Sequence, residues 1–584
     1  MEPSYELGVC MRGKSFVGVS IASVAVLVAS IAPLSSAIAA SSTSSSAART
    51  LTGVHSRFVP SAVQAPWVTF GDSENNDNSI SSYGLCRTAP AHSLPFSYAT
   101  PSLGEVDAIV NDQANLSGAS NYGCTTAQNE TTIAANPTNP KNLVAGANDY
   151  RICCDFTGLN DGTGWAYYSF DSGKTWGNVQ VPGLTAETGG QGVFKKVDSA
   201  GDPVMAFSPD GTVYYANLVF SRISPASGVA VSKSTDGGKT WSSPVMVAFQ
   251  QSANFFNDKE WIAAGANGSV AVSWTRFNQG PRGVGYISSH IVASTSGNYG
   301  STWSSWFNVS DPAHPYNQGS QVAYAPNGDL YVSYEGGSPT TGYATDSLVL
   351  ARSSNNGGSF STAELARVYD DNDCYPIFGG RQTLSNQHFR LNSYPSMSID
   401  PTSGKIAFAW TDDQGAGSCG TGGSSFSGTT SNQVKLITGT WGSFSSASVI
   451  TPDSADKVFP SVAANGGRVV VTYYTAGYAA SETNPACFIK IPDSAPPGAA
   501  YESTSTSVCL DYAARSSVDG FGNEYRLSSQ GSNPYVQFAN GSFIGDYSQV
   551  AIGTDGVGHA AWTDFRGNPG VNTPNQDVYV NTTP

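Results

Sequence analysis

The stretch that decides the fold is "STDGGKTW", residues 234–241, because its pattern recurs along the chain. A close copy, "SFDSGKTW", occupies residues 169–176, and weaker copies, "SGNYGSTW" and "SSNNGGSF", occupy 296–303 and 353–360. The aromatic residues that end the four copies are 65, 62 and 57 residues apart. That period is typical of a β-propeller blade with long loops and exceeds that of most solenoid repeats.

Each octet lies between two strand-like runs, so we expect it to form the turn of a β-hairpin. Glycine supplies the left-handed backbone of such a turn, and the Asp side chain accepts hydrogen bonds from its amides. The final Trp or Phe is expected to fill the gap beside the next blade. The residues predicted to be structural are Ser169, Asp171, Gly173, Trp176, Ser234, Asp236, Gly238, Trp241, Asn298, Trp303, Asn355 and Phe360.

A second unit recurs between the octets: an apolar strand, a Gly- or Pro-containing turn, and another strand that often ends in Trp or Tyr. Its seven copies occupy residues 133–149, 204–218, 261–274, 321–334, 395–410, 460–473 and 548–562. One such hairpin plus one octet hairpin makes a four-stranded antiparallel blade. The sequence therefore predicts an all-β propeller with seven blades, or six if one unit is misread.

The chain divides into four predicted parts. Residues 1–39 read as a secretory signal, 40–60 as a Ser-rich linker, 61–130 as a segment that closes the ring, and 131–584 as the propeller. Only one strand-like run, 576–581, follows Trp562, so the last blade lacks a strand. An upstream run such as "PWVTFGD" (66–72) is expected to complete it and hide the edge. The alternative is that residues 41–130 are a loose linker.

The N-terminal leader has Arg12 and Lys14, an apolar run to about Leu34, and small residues before Ala40. This order is typical of a cleaved export signal and predicts a secreted or cell-surface protein without membrane insertion after cleavage. The alternative is a retained anchor, because residues 16–34 approach the length that spans a bilayer.

Composition and charge narrow the function. The chain has 63 Gly, 28 Tyr and 11 Trp, with only 12% charged residues, which indicates β-structure with many tight turns. Its formal net charge of −15 argues against nucleic acid or an anionic membrane as a partner. An anionic ligand would need a local cluster of arginines.

Removal of the leader discards Cys10 and leaves an even number of cysteines, which in an exported chain predicts disulfides. We expect Cys374 to pair with Cys419 and Cys487 with Cys509. The remaining candidates are Cys86 and Cys124, which would meet Cys153 and Cys154. A zinc site is the alternative, but no C-x-x-C motif supports it.

Cofactor motifs are lacking in the sequence. No phosphate-binding glycine loop follows a strand, and no H-E-x-x-H motif occurs, so no cofactor is expected. Oxygen-rich clusters at 71–77 and 369–376 suggest structural Ca²⁺, although neither has the spacing of a complete calcium loop. Solvated acidic turns are the alternative.

The ends of the recurring hairpins supply the catalytic candidates, because strand ends converge on one face of a ring. They are Arg151, Arg276, Glu335, Asp412, Tyr474, Asp564 and Arg566. Structural alternatives stand beside them. Asp412 and Asp564 both follow Trp-Thr, and this recurrence also suggests a blade-to-blade hydrogen bond. The alternative for Arg566 is a surface ion pair near Asp564. The alternative for Tyr474 is packing within its strand.

With its octets and blade units, the chain resembles the Asp-box (BNR-repeat) β-propeller proteins, among them the sialidases, over roughly residues 130–584. The resemblance implies that the octets lie on the rim and are structural. It also implies three arginines for a sugar carboxylate, a Tyr nucleophile assisted by a Glu, and an Asp acid/base.

That resemblance assigns roles to particular residues. Sialidases have Arg-Ile-Pro ahead of the first octet, which matches Arg151-Ile152, with Cys153 in place of the proline. Asp155 or Asp161 then becomes the acid/base, and Glu335 and Tyr474 follow in the family's order. The other two arginines stay open among Arg276, Arg381, Arg390 and Arg566.

The functional hypothesis is a secreted propeller that acts on or binds an extracellular glycan or glycoprotein, most specifically a sialidase-like exo-glycosidase. One alternative is a non-catalytic propeller for recognition at the cell surface. Another is a lyase, or a hydrolase that uses the carboxylate pair Glu335 and Asp412. Three arginines around one cavity favour the sialidase, whereas a plugged channel favours binding.

Overall fold

A computed structural model describes most of the chain beyond residue 126. The described residues are 108–109, 127–150, 162–221, 224–281, 286–337, 345–368, 373–375, 381–385, 387–414, 418–419, 426–427, 429–492, 500–536, 543–566 and 576–584. The expected leader, linker and 66–72 strand lie outside them, as do Cys86, Cys124, Cys153 and Cys154.

The described chain forms seven antiparallel sheets that follow one another in sequence, which confirms the predicted seven-bladed propeller and makes the six-bladed alternative wrong. From the innermost strand outward, the strands are Gln128–Ala135, Leu143–Asp149, Thr163–Ser169 and Gly177–Gln180 in blade 1; Ser199–Phe207, Val213–Phe220, Ala226–Ser234 and Val245–Gln251 in blade 2; Phe255–Ala264, Val270–Gln279, Tyr286–Ser296 and Phe307–Asn308 in blade 3; Asn317–Tyr324, Leu330–Gly337, Asp346–Ser353 and Ser361–Val368 in blade 4; Ser396–Ile399, Ile406–Asp413, Asn432–Thr440 and Ser443–Phe444 in blade 5; Lys457–Asn465, Arg468–Thr475, Asp511–Ser516 and Tyr525–Arg526 in blade 6; and Gln549–Ile552, Gly558–Asp564, Asp577–Thr583 and Ala108–Ile109 in blade 7.

Shorter elements lie in blade 5 and in the connections between strands. In blade 5, Ser448–Val449 also pairs with the third strand. Two-stranded ribbons and short 3₁₀ helices occur in the connections; they are Asp373–Tyr375 with Arg381–Gln382, Ser418–Cys419 with Phe426–Ser427, Ile489–Lys490 with Glu502–Ser503, and the helices Gly192–Lys196, Ala266–Gly268, Ala479–Ser481, Pro485–Phe488 and Ser517–Asp519. No helix among the described residues is long and apolar enough to cross a bilayer.

The circular order of the blades is visible in the core. Separate apolar clusters fill the seven junctions between neighbouring blades, and the last of them joins blade 7 to blade 1. The octet aromatics Trp176, Trp241 and Trp303 belong to three different clusters. Each fills the gap beside the preceding blade, not the next one as expected, because the turn leans back over that neighbour: Val144 of blade 1 lies against Gly238 of blade 2.

Near the axis, side-chain hydrogen bonds join the neighbouring blades at five of the seven junctions. In each, a polar residue on one innermost strand accepts from a backbone N–H of an adjacent innermost strand, at distances of 2.7–3.1 Å. The acceptors are Thr132, Gln321, Ser396, Ser461 and Gln549. The bond from Ile133 N–H to Gln549 closes the ring between blades 1 and 7.

The four octets fold into one type of turn between the third and outermost strands of blades 1 to 4. In the first, Gly173 N–H donates to Ser169 Oγ at 2.9 Å, and Thr175 donates to Asp171 through its N–H (2.9 Å) and its hydroxyl (2.6 Å). Asp236, Asn298 and Asn355 accept the equivalent backbone bond in the other three. The glycine before the last three residues has positive φ in each copy, which is why glycine recurs there.

The two ends of the ring differ. We call the end that holds the octet turns the octet face, and the opposite end, where innermost strands begin and second strands end, the loop face. The long connections reach the loop face, for example residues 476–510 between two strands of blade 6. Because ligands of repeat proteins are usually held by the face that carries the insertions, the loop face is where a site is expected.

The insertion 476–510 is fastened by the predicted disulfide between Cys487 and Cys509, which is confirmed. Cys374 and Cys419 lie in two short strands whose backbones approach each other, and their pairing stays a prediction. Gln387 Nε2 also donates to Val508 O at 2.6 Å, so the insertion is docked on the segment before blade 5.

Replacing Cys487 and Cys509 together by serine is expected to lower the free energy of unfolding of the insertion by about 3 kcal/mol, since the bridge closes a loop of moderate length. Hydrogen exchange at Ile489 and Lys490 measures it. Equal exchange protection in the variant and the native protein would contradict this role for the bridge.

Candidate functional site

The predicted catalytic residues that the structure describes reach the loop face but do not lie on the axis. Arg151, Asp155 and Asp161 lie outside the described residues. The others end the second strands of their blades, one strand away from the axis, whereas the axial residues are those that begin the innermost strands. A hairpin pattern does not reveal which of its strands lies inside, and the catalytic roles of these residues stay predictions.

The structure gives several candidates structural partners instead. Tyr474 is buried, and its hydroxyl contacts the backbone of Thr563 at 3.0 Å in the junction between blades 6 and 7. Asp412 pairs with Lys435 of its own blade at 2.7 Å, and the expected blade-to-blade bond stays a prediction. Asp564 likewise binds within blade 7, receiving two bonds from Arg566 at 2.8 and 2.7 Å. That pair is buried and not the surface pair expected.

Seven residues, one from each blade, form an axial ring at or just before the start of the innermost strands. In blades 1, 2, 3, 4 and 6 a bulge interrupts the pairing of the innermost strand at the same place. The bulged residue has positive φ in each case, from 50° to 65°. Blades 5 and 7 have their equivalent residue two positions before the strand. The axial ring is Glu130, Asp202, Lys259, Gly319, Tyr394, Phe459 and Tyr547.

One side of the axial ring is a buried charge cluster around Lys259. Its ammonium contacts Glu130 at 2.8 Å, Asp202 at 3.0 Å and Asp546 at 2.9 Å, which come from three other blades. Arg390 donates two hydrogen bonds to the carboxylate of Asp546, from Nε at 2.8 Å and from Nη2 at 2.6 Å. Because every member is nearly inaccessible to water, these charges must be compensated within the protein.

The pKa values show how the cluster balances its charge. Burial disfavours the ammonium, but the charges of Asp202, Asp546 and Glu130 outweigh it and hold the pKa of Lys259 well above its usual value. Burial opposes ionisation of Asp546 too, yet Arg390 and Lys259 lower its pKa to about 2. Burial and then the charge of Glu130 raise the pKa of Asp202 well above its usual value. The raised pKa favours a proton on Asp202, shared with Glu130 through a side-chain hydrogen bond.

This proton gives a test at Asp202. Its pKa is higher in the folded than in the unfolded chain, so between those two values the native state binds more protons and stability falls as pH rises. Asp202→Asn removes the titration. Urea unfolding from about pH 4 to about pH 8 should show native stability falling relative to the variant, by up to about 1.4 kcal/mol per pH unit. Parallel pH curves for the two proteins would refute the shared-proton assignment.

The other side of the axial ring is an aromatic cavity, which Lys259 and Asp546 of the charge cluster also line. Trp261, Tyr394 and Tyr547 line it and are only partly buried, whereas Phe459 is buried at its wall. Tyr547 reaches from blade 7 to donate to Pro203 O of blade 2 at 3.2 Å, and its ring lies 5.9 Å from Trp261 of blade 3. Together these rings plug the axis and form a floor.

Tyr394 occupies the place that Gly319 leaves empty. Gly319 has φ of +65°, and a β-carbon added to it would overlap the ring of Tyr394. Burial, followed by the charges of Asp546 and Glu335, raises the pKa of the Tyr394 phenol well above its usual value, against the opposing effect of Arg390 and Lys259. Glu335, buried at the end of the second strand of blade 4, is thus an electrostatic neighbour of a neutral phenol that faces the cavity.

The acidic residue Glu260 lines the cavity. Glu260 is buried, and neither of its carboxylate oxygens has a hydrogen-bond partner among the described residues. Burial raises its pKa well above the usual value, which favours the carboxylic acid over the carboxylate. A protonated carboxyl beside a cavity is the state that a general acid needs.

Sequence reasoning missed Lys259, Glu130, Asp202, Asp546, Glu260 and Tyr394. An alignment of the seven inner strands on their turns would have brought the axial ring into one column. No family model and no curated protein matches the chain. No group of three or more His, Cys, Asp or Glu within the described residues is arranged to hold a metal, and the side chains of the suggested calcium clusters lie outside them.

Solved structures with similar chain traces include three carbohydrate-active enzymes. A Hadza microbial sialidase is 12% identical with a TM-score of 0.39, and the match covers 66% of this chain and 65% of the sialidase. The α-L-arabinanase of Penicillium chrysogenum is 16% identical with a TM-score of 0.38, covering 64% and 94%. The α-L-arabinofuranosidase of Fusarium graminearum is 14% identical with a TM-score of 0.39, covering 64% and 94%.

Proposed function

We propose that this protein is an extracellular glycoside hydrolase whose active site is the axial cavity. The observation behind the proposal is the neutral phenol of Tyr394, which faces the cavity within electrostatic reach of Glu335. Aromatic walls with a few polar groups suit a sugar ring. The expected leader and the disulfide of Cys487 and Cys509 support an extracellular setting.

In the proposed chemistry Tyr394 is the nucleophile, Glu335 receives its proton, and Glu260 is the general acid. The Tyr394 hydroxyl attacks the anomeric carbon while its proton passes to Glu335, the glycosidic bond breaks, and Glu260 protonates the departing oxygen. Water then attacks the same carbon and gives its proton to Glu260, and the tyrosinate recovers its proton from Glu335. Two displacements retain the anomeric configuration.

A Tyr nucleophile with a Glu partner is what the resemblance to Asp-box sialidases implies, at Tyr394 in place of Tyr474. A sialoside is therefore the first substrate to test. Two of the candidate arginines already have carboxylate partners, since Arg390 is held by Asp546 and Arg566 by Asp564. Arg151 and Arg381 remain candidates for binding the sugar carboxylate.

The second candidate function is glycan binding without hydrolysis. The rings of Tyr547 and Trp261 lie across the axis and favour glycan binding, because they close the central channel and leave only a shallow pocket for a ligand. It requires binding of an oligosaccharide in the cavity without cleavage.

Fluorogenic glycosides, including an α-sialoside and pentofuranosides, test the proposal on the secreted protein. Turnover with retained configuration, measured by NMR, is expected, and Glu335→Gln should lower it by about 10²-fold or more. Glu364→Gln is the matched control, since Glu364 lies on the outermost strand of the same blade beside Arg367. Binding without turnover by the folded protein would support the second function, and neither binding nor turnover would overturn both.

A further inference from the structure

A second feature of the loop face lies on blade 3, around Arg276. Its guanidinium is stacked between two aromatic rings, 3.8 Å from the centre of Phe255 and 4.9 Å from that of Trp306. One of its nitrogens donates to Asn278 Oδ1 at 2.6 Å, and Asn278 in turn donates to Ser288 at 2.8 Å. The rings and the amide fix the plane of the guanidinium, so its remaining N–H groups point in a set direction.

Arg276 differs from the other arginines in its partners. Among the described residues, the guanidinium groups of Arg352, Arg367, Arg390, Arg526 and Arg566 each contact a carboxylate. Arg515 and Arg468 each bind two backbone carbonyl groups. Within the same part of the chain, Arg276 has a single neutral acceptor and no carboxylate within 4 Å.

The charge of Arg276 is therefore uncompensated at a half-buried position. Burial lowers the pKa of Arg276. Burial and then the charge of Arg276 lower the pKa of the neighbouring His290 ring, which adds no negative charge. In a chain with net charge −15, an arginine so placed is unusual. An arriving anion would supply the missing partner, and bidentate contacts to an oxyanion match the open fork.

Trp306 gives the ligand a second contact. Its ring is 43% exposed although it is one of the largest apolar side chains, and it lies directly beside the guanidinium. An exposed indole beside an open guanidinium suits a ligand that joins an oxyanion to a ring. The place is separate from the axial cavity, whose lining does not include Arg276 or Trp306.

We propose that Phe255, Arg276, Asn278 and Trp306 form an accessory binding site for an acidic sugar unit, whose carboxylate or sulfate contacts Arg276 while its ring stacks on Trp306. The choice of a sugar over other cyclic anions rests on the proposed function. The site holds an acidic polysaccharide at the rim of the loop face and performs no chemistry.

Isothermal titration of the full chain tests the site. The probes are oligogalacturonate, a sulfated oligosaccharide of the same length and a neutral one. We expect the acidic probes to bind and the neutral one not to bind, and the stronger acidic probe identifies carboxylate or sulfate as the preferred group. Arg276→Gln, which keeps a side chain between the rings, and Trp306→Ala should each weaken binding by about tenfold or more.

Two variants control for the loss of a charge and of an exposed ring. Arg367→Gln removes an exposed arginine of blade 4, and Tyr299→Ala removes an aromatic ring that is also 43% exposed; both should bind like the native protein. Unchanged affinity in Arg276→Gln, equal binding of the neutral probe, no binding of either acidic probe, or tighter binding of a single-stranded oligonucleotide would each overturn the site.

The same variants separate this site from the proposed function. Turnover of a small uncharged aryl glycoside should be unchanged in Arg276→Gln. If the native protein binds the acidic probe through Arg276 but hydrolyses no glycoside, the accessory site stands and the hydrolase proposal fails. If it hydrolyses glycosides and Arg276→Gln binds the probe normally, the accessory site fails alone.

Discussion

Replacement of Lys259 by methionine is expected to lower the free energy of unfolding by about 3–5 kcal/mol, because it leaves buried carboxylates without their shared cation. Glu130, Asp202 and Asp546 all lie within 3.0 Å of the ammonium. Methionine fills a similar volume, so a cavity contributes little to the loss. Urea-induced unfolding of the purified protein at neutral pH measures the difference.

The control for this substitution is Lys196→Met. Lys196 is exposed and contacts only a neutral amide in the described structure, Gln251 Oε1 at 2.7 Å, so its loss should change stability by less than about 0.5 kcal/mol. Similar small losses in both variants would mean that the cluster is solvated and does not hold the blades. Asp546→Asn should resemble Lys259→Met, since Asp546 contacts both cations.

Tyr394→Phe is expected to reduce glycoside turnover by about 10³-fold or more while leaving the fold intact, because it removes only the attacking oxygen. The ring still fills the space above Gly319. Initial rates on the best fluorogenic substrate measure the change, and circular dichroism confirms folding. Retained turnover in Tyr394→Phe would exclude the phenol as nucleophile.

Two further variants sharpen this test. Tyr474→Phe, which loses the hydrogen bonds to Thr563, should cost about 1 kcal/mol in stability and leave turnover unchanged. Gly319→Ala should displace the Tyr394 ring, because the new methyl group overlaps it, and should lower turnover with the phenol still present. A Tyr474→Phe variant that folds but is inactive would favour the residue predicted from sequence.

The sequence predicted the architecture well because each blade is a local object. Hairpin units and octets lie within single blades, so the count of seven and the turns at Asp171 and Asp236 follow from short-range patterns. The cysteine pair 487 and 509 is similarly close in sequence.

Patterns within a single blade do not reveal the axial site, because it is assembled from one residue per blade and only a comparison of all seven inner strands brings these residues together. Glu130 and Asp546 are 416 residues apart, yet Asp546 N–H donates to Glu130 at 3.0 Å. The bulge that turns Lys259 toward the axis leaves no mark in hydrophobic periodicity. Tyr394 precedes its strand, whereas Tyr474 ends one, and only the packing of the blades determines which of the two reaches the cavity.

The composite seventh sheet has a consequence for biosynthesis. Its outermost strand, Ala108–Ile109, is made before the other six sheets, but the partner strand Asp577–Thr583 is made after them. Six sheets are complete in the nascent chain before the remaining one obtains its strands, so the growing polypeptide is an open arc with two unpaired flanks. Closure is then a single late event between distant segments, and the interval before it is when the newborn chain is most exposed to self-association.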